Sequence, residues 1–449
     1  MIYKPQKIDA MWDTWLYCHE GTHYLYYLTM GPTLRQGMHG QGVAMATSED
    51  GAHWNEIGVV MPKDEGATGL GTGSVWKSAD FDESGKFIMN YSTWFDWCIE
   101  SQEIRFAEST DLIHWKKLGA ECAFRADARW YETYPQCKRA RWDCIYSIPR
   151  LGGGRFGYWT AIPKGHPGFG FGETLDGAHW RALEPPIVEN ETQGECGAIE
   201  KIGDRFVMLY HGGNGTLIAD KPQGPFFPAK KNRVLLGGHA YFTRFFPTPS
   251  GLLVNHHSFP RTGYGSPCYF APLKRALADA EGTVRLGYWE GNEALKGNRI
   301  EIEAPDETHD DASRISSFIT RLDAEHGTVI EGVLNVPPSA DDRRTGLYIE
   351  CRDGRNAAIL VGAGGVTEFG AVQRDGTDFK QEFRVDREAP FSATARFRLL
   401  LRHALLEFYL DETLILCYSL PTDPTGGFGC VPNTLRPGTT LSAWRMSLP

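Results

Sequence analysis

The chain is predicted to be all-β: a five-bladed β-propeller followed by a C-terminal β-sandwich. Three observations carry that expectation. A turn unit recurs with a period near sixty residues, in SEDGAHWNEIG (48–58), STDLIHWKKLG (109–119) and TLDGAHWRALE (174–184). Aromatic or β-branched runs of strand length precede these units, and helical periodicity is scarce before residue 290. Beyond that point the repeat stops, and strands alternate with turns in a different rhythm.

Each turn unit follows a small-residue strand: GVAMAT, IRFAES or FGFGET. Asp with Gly or Leu supplies the turn, and the Trp covers the hairpin. Degenerate fourth and fifth copies are GTLIADKPQGPFFPAKK (215–231) and YFAPLKRALADAEGTVRLGYW (269–289). The strands before the five units are THYLYYL (22–28), KFIMNYS (86–92), RFGYWTA (155–161), RFVMLYH (205–211) and LLVNHHS (252–258). Each unit thus carries about four strands and cannot bury its own faces, so the units are expected to stack radially as blades. An array of ordinary sandwiches is the competing architecture, but the period is too long for single hairpins. The propeller is assigned to 1–295. A polar, acidic stretch with a Pro marks a linker at 296–312, and 313–449 is read as the sandwich. Within it FRLLLRHALLEFYLDETLILCYSL is read as a pair of long strands. APLKRALADA (271–280) is the one segment where a helical turn is expected.

Composition removes several function classes. The 449 residues carry a formal charge of −10, which argues against nucleic acid as partner. No apolar run approaches membrane-spanning length, and MIYKPQKIDAMWD lacks a signal pattern, so the chain is read as cytoplasmic, or as secreted if a signal peptide has been removed. Ten scattered cysteines without a CxxC pair are read as reduced, and neither a metal nor another cofactor is expected. The Gly-rich LGTGS (70–74) and LGGGR (151–155) open no predicted helix, so neither is read as a phosphate loop.

In a propeller the innermost strand of each blade lines the axis. The equivalent stretch lies some ten residues upstream of each aromatic run. It reads Met11-Trp12-Asp13-Thr14-Trp15, Gly71 through Trp76, Arg141-Trp142-Asp143-Cys144, Gly194-Glu195-Cys196-Gly197 and Tyr241-Phe242-Thr243-Arg244. Three blades thus place an acid at one address: Asp13, Asp143 and Glu195. Like charges raise each other's pKa, a cost typical of catalytic sites. Two carboxylates flanking a bond are what glycoside hydrolysis requires. Capping a turn or pairing with Arg is the alternative role for any one of them. Candidate substrate-binding residues are Trp12, Ser74, Trp76, Trp94, Arg141, Trp142, Arg244 and His256. Trp97 is read as either a sugar platform or a packing residue. Strand alternation lets only one of His256 and His257 face inward. The repeated His53, His114 and His179 are structural.

These residues resemble glycoside hydrolase family 32, the invertases, inulinases and levanases. Glu195-Cys196 matches the family's Glu-Cys pair, which carries the acid/base. Asp13 is similar in place to its nucleophile. Arg141-Trp142-Asp143 resembles its Arg-Asp-Pro motif with one residue inserted and Cys144 in place of Pro. The family's Asn-Asp-Pro-Asn-Gly is absent, since Trp12-Asp13-Thr14-Trp15 stands there. The resemblance implies a retaining exo-β-fructofuranosidase acting on terminal furanosides of oligo- or polysaccharides. Asp13 then attacks while ionised, Glu195 with a raised pKa protonates the leaving group and later activates water, and Asp143 binds ring hydroxyls. Family 43, the arabinofuranosidases and xylosidases, shares the propeller and the Asp, Asp, Glu order. It implies inversion, with Asp13 as general base. A third reading is a non-catalytic carbohydrate-binding propeller. All three name a carbohydrate as partner, and oligomeric state is not legible.

Overall fold

The computed structural model describes residues 1–8, 10–30, 41–189, 195–210, 215–261, 267–303, 315–338 and 343–448, with Met30 and Cys196 as backbone only. Four antiparallel sheets of four strands come first, each running from its innermost strand outward in chain order. Blade one is β1 (Ala10–His19), β2 (Thr22–Met30), β3 (Gly42–Ser48) and β4 (Asn55–Pro62). Blade two is β5 (Gly69–Lys77), β6 (Phe87–Trp94), β7 (Glu103–Ser109) and β8 (Lys116–Lys117). Blade three is β9 (Trp142–Pro149), β10 (Arg155–Ala161), β11 (Gly170–Thr174) and β12 (Trp180–Ala182). Blade four is β13 (Cys196–Ile202), β14 (Arg205–Tyr210), β15 (Gly215–Ala219) and β16 (Phe227–Pro228). Blade five is β17 (Ala240–Thr248), β18 (Gly251–Ser258), the short β19 (Tyr269–Phe270), β20 (Lys274–Ala278) and β21 (Val284–Tyr288).

The inner strands close a ring. β1 packs on β5, β5 on β9, β9 on β13, β13 on β17, and β17 returns to β1. Buried asparagines tie neighbouring blades across it. Asn90 in β6 donates to Ile145 O of blade three at 3.0 Å and accepts the Ile145 N–H at 3.0 Å. Asn255 in β18 donates to Thr14 O of blade one at 3.1 Å.

The repeated turn has a local cause. Asp50, Asp111 and Asp176 each accept two backbone N–H bonds from the following loop and hold the imidazole three residues on, at 2.7, 2.7 and 2.6 Å. This Asx-type closure needs no distant partner, so the pattern survives divergence of the blade around it. The histidines are turn residues, as their repetition implied.

After blade five come β22 (Lys296–Ile300), β23 (Ser316–Ile319), β24 (Thr328–Asn335), β25 (Thr345–Cys351), β26 (Asn356–Val361), β27 (Thr367–Val372), β28 (Lys380–Val385), β29 (Thr394–Arg402), β30 (Leu405–Leu410), β31 (Thr413–Ser419), β32 (Pro424–Cys430) and β33 (Ser442–Met446). They form two sheets, β31-β30-β29-β24-β33-β22 and β23-β32-β25-β26-β27-β28, around a core that includes Ile330, Leu347, Ile359, Phe408 and Phe428. Through the pair Gly287–Thr413, the first of these sheets is continuous with blade five. At that junction Lys274 of β20 and Glu407 of β30, both fully buried, pair at 2.5 Å, and Tyr409 donates to the same carboxylate at 2.6 Å.

Three expectations require correction. The centre of the APLKRALADA segment is the strand β20, because its backbone pairs with both β18 and β21. FRLLLRHALLEFYLDETLILCYSL is three strands. His403 turns the first corner at φ 51°, and Asp411 and Glu412 turn the second at 41° and 66°. Lys296–Ile300, inside the stretch expected to be a linker, pairs with β33 as a strand.

Candidate active site

Each inner strand carries a break in register near its start. The break lies at Asp13 between Trp12 and Thr14, at Gly71-Thr72, beside Asp143-Cys144, at Gly197, and at Phe242-Thr243. Such bulges bend a strand and re-aim the extra residue. In three blades the bulged residue is not glycine but holds a positive φ: Asp13 at 30°, Cys144 at 45° and Phe242 at 51°. Backbone strain of this kind persists only where surrounding structure over-determines it, and it clusters at functional sites. Here five bulges meet around one mouth of the ring.

The three acids at this mouth are each held by side-chain donors. Thr72 Oγ1 donates to Asp13 Oδ2, and Ser92 Oγ donates to Asp143 Oδ1. Ser92 Oγ in turn accepts the Cys144 N–H at 3.1 Å, which locks the bulge below Asp143. Arg141 is the link between acids. Its Nη2 donates to Asp143 Oδ2 at 2.7 Å, its Nη1 to Glu195 Oε1 at 3.2 Å, and its Nε to Gln102 Oε1 at 3.0 Å. The Tyr241 hydroxyl donates to the other Glu195 oxygen. Gly71 leaves room for this packing, since a Cβ there would stand 3.1 Å from Asp143 Oδ1.

Burial, with Glu195 and Asp143 adding repulsion, pushes the Asp13 carboxyl up to about 7. The Thr72 bond and the Arg244 guanidinium only partly oppose this. That outcome runs against the expectation of an ionised Asp13, and its reason is desolvation. The Glu195 side chain is more open than that of Asp143, 30 % exposed against 11 %.

The other candidates fall into two groups. Trp12 is half-buried and stacks on Tyr241 at 5.7 Å, with the His257 ring 4.6 Å away, so it walls the mouth beside Glu195. Arg244 is 1 % exposed and reaches from blade five to Gly73 O of blade two at 3.1 Å, beneath Asp13. The remaining candidates lie in the packing. Ser74 donates to Ile145 O at 2.5 Å between blades two and three. Trp76 and Trp142 are core residues whose indoles donate to Gly177 O at 3.2 Å and Phe124 O at 3.0 Å. Trp94 is buried against Gly69, where a Cβ would stand 2.1 Å from its ring. His256 points away from the mouth, its Nε2 3.7 Å from Glu407 Oε1, and His257 is the histidine facing Trp12. His211 lies outside the described residues. Sequence reasoning missed Thr72, Ser92 and Tyr241, because the blade-to-blade comparison sought acids at the shared address. Tyr241 stood at that address in blade five.

No protein-family model matches the chain, and no curated protein matches it in sequence. Solved structures do. Sucrose-6-phosphate hydrolase from Lactobacillus gasseri superposes with a TM-score of 0.72 at 13 % identity, over 98 % of this chain and 91 % of that one. A family 32 β-fructofuranosidase from Bombyx mori gives 0.72 at 12 % identity, over 99 % and 93 %. An exo-inulinase from Aspergillus awamori gives 0.69 at 11 % identity, over 99 % and 97 %. The chain shares with them the whole two-part architecture, propeller and sandwich.

Proposed function

We propose that the chain is a glycoside hydrolase of the β-fructofuranosidase type that cleaves terminal furanosides. The observation that carries this reading is the meeting of Asp13, Asp143 and Glu195 at one propeller mouth, with Arg141 bonded to two of them. In this mechanism Glu195, more exposed than Asp143, protonates the leaving oxygen. Asp13, fixed by Thr72 beneath the pocket, acts at the anomeric carbon from the opposite side. Asp143, oriented by Ser92 and Arg141, accepts hydrogen bonds from ring hydroxyls. The activities named for the neighbouring structures, on sucrose 6-phosphate, β-fructofuranosides and inulin, agree with this substrate class.

One observation favours a second reading of the stereochemistry. A carboxyl raised to about 7 is matched to activating water at neutral pH, which is the task of a base in an inverting enzyme. The test is a screen of sucrose, inulin, levan and aryl arabinofuranosides, with NMR of the first-formed anomer. Retention is expected for the fructofuranosidase mechanism; inversion assigns Asp13 as base. Asp13→Asn and Glu195→Gln should each lower kcat by at least about a hundredfold. Turnover unchanged by both substitutions would overturn the site.

A further inference from the structure

We infer that Arg244 is a positioning residue for Asp13: it clamps the bulge that orients the Asp13 carboxyl and supplies the charge against which that carboxyl ionises. The inference rests on the glycosidase reading for the task of Asp13, but its evidence is separate. An arginine at this address was expected from the sequence to bind substrate. Burial argues otherwise. The side chain is 1 % exposed, and its Nε and Nη2 are shut off from solvent, so it offers no edge to a sugar.

The clamp follows from the order of the ring. β17 and β5 both pack on β1, so a side chain that reaches from β17 to β5 passes blade one. Arg244 makes that reach, and its Nη1 donates to Gly73 O at 3.1 Å. Gly73 ends the bulge of β5 directly after Thr72, whose hydroxyl donates to Asp13 Oδ2. The guanidinium therefore fixes a carbonyl of the turn that aims Thr72 at the acid. Its own place is set by the Phe242 ring at 4.6 Å and the Tyr146 ring at 5.9 Å. Phe242 is the positive-φ residue of the blade-five bulge, so one side chain links the bulges of blades two and five across that of blade one.

Charge supplies the second part. A guanidinium keeps its proton in a protein, and a buried one needs a counter-charge. Arg141 has two, Asp143 at 2.7 Å and Glu195 at 3.2 Å. Among the described residues, Arg244 bonds only a carbonyl, its Nε and Nη2 meet no acceptor, and Asp13 Oδ1 meets no donor. Asp13 and Arg244 are thus the acid and the base left over, and the charge of Arg244 is felt at Asp13, against burial and the repulsion of Glu195 and Asp143. The other titratable groups nearby bring no positive charge. Burial pushes His257 down to about 3 and the Cys268 thiol up, and the Tyr241 hydroxyl serves Glu195. A protonated Asp13 leaves Arg244 without a counter-charge; an ionised one supplies it. As nucleophile or as base, Asp13 works ionised.

The test is the pH profile of kcat/KM on sucrose in the wild-type protein, Arg244→Gln and Arg244→Lys. Losing a favourable charge raises a carboxyl's pKa, so the acid limb of Arg244→Gln should move up by about one unit, with kcat/KM about tenfold lower below it. Arg244→Lys keeps the charge and should restore most of that shift. KM at the optimum should stay within about twofold of wild type. A raised KM with an unmoved limb would make Arg244 a sugar ligand, and an equal loss at every pH would make it merely structural; either overturns the inference. The carboxyl band of Asp13 in infrared spectra, identified by its absence in Asp13→Asn, reads the same titration without turnover. A midpoint near 7 that rises by about one unit in Arg244→Gln and returns in Arg244→Lys sustains the inference, and an unmoved midpoint ends it. If the wild-type protein turns over no furanoside, the glycosidase reading falls and the band decides Arg244 alone. Arg244→Met takes the place of an Arg244→Gln that does not fold. Failure of both, beside a folded Arg244→Lys, would assign the charge to folding and end the inference.

Discussion

At the residue scale, Asp13 shows how position sets chemistry. It is the bulged residue of its strand, it holds a positive φ, and burial raises its carboxyl. Its carboxyl is raised from 3.8 to about 7, so the folded protein prefers the proton. That contribution to stability is complete below about 4 and is lost as pH rises through 7. A rise from 3.8 to about 7 corresponds to about 4 kcal/mol. Asp13→Asn mimics the neutral acid and keeps an oxygen for Thr72. The variant should therefore melt above the wild type at pH 8 by several degrees more than it does at pH 4. Differential scanning calorimetry at both pH values measures this, and an equal difference at the two would refute the argument. Stability lost to a charged acid is a familiar cost of an active site.

At the element scale, close contact between strands fixes residues that no motif marks. A Cβ at Gly73 of β5 would stand 1.9 Å from Asn90 O of β6, which is backbone and cannot yield. Gly73→Ala should cost about 3 kcal/mol or more in urea unfolding, whereas Gly238→Ala, with nothing within 4 Å of the added carbon, should be near neutral. A similar loss in both would show that backbone entropy, not contact, sets the effect. The same scale explains what the sequence disclosed. The blades were legible because Asp50, Asp111 and Asp176 close their turns with neighbours two and three residues away. The three acids were legible because equivalent strands place them at equivalent addresses. Trp76, Trp142 and His256 were misjudged for a geometric reason. A bulge resets the in–out alternation of a strand, and those at Asp13, Cys144 and Phe242 occur at non-glycine residues that carry no sequence signature. The corners at His403 and Asp411-Glu412 were hidden in the same way, so three strands read as two.

At the scale of the whole molecule, propeller and sandwich are joined by a sheet and by charge. Removing Lys274 alone leaves Glu407 buried and unpaired beside His256, and Lys274→Met should cost about 3–5 kcal/mol. Lys274→Met combined with Glu407→Gln should cost clearly less than the two single changes added together, because no uncompensated charge remains. Strict additivity in chemical denaturation would mean that the pair does not couple the two parts. The junction at Gly287–Thr413 also bears on synthesis. A ribosome releases blade five well before it reaches β31, and at typical elongation rates the wait is of the order of ten seconds. Throughout that interval the outer edge of β21 is a nascent strand with open hydrogen-bonding groups, and the Lys274 ammonium has no carboxylate to meet. The inner ring can close through β17 and β1 without the sandwich, but the outer edge of the last blade waits for β31. For a chain of this design, the vulnerable period is birth rather than maturity, and chaperone demand should concentrate on the last blade.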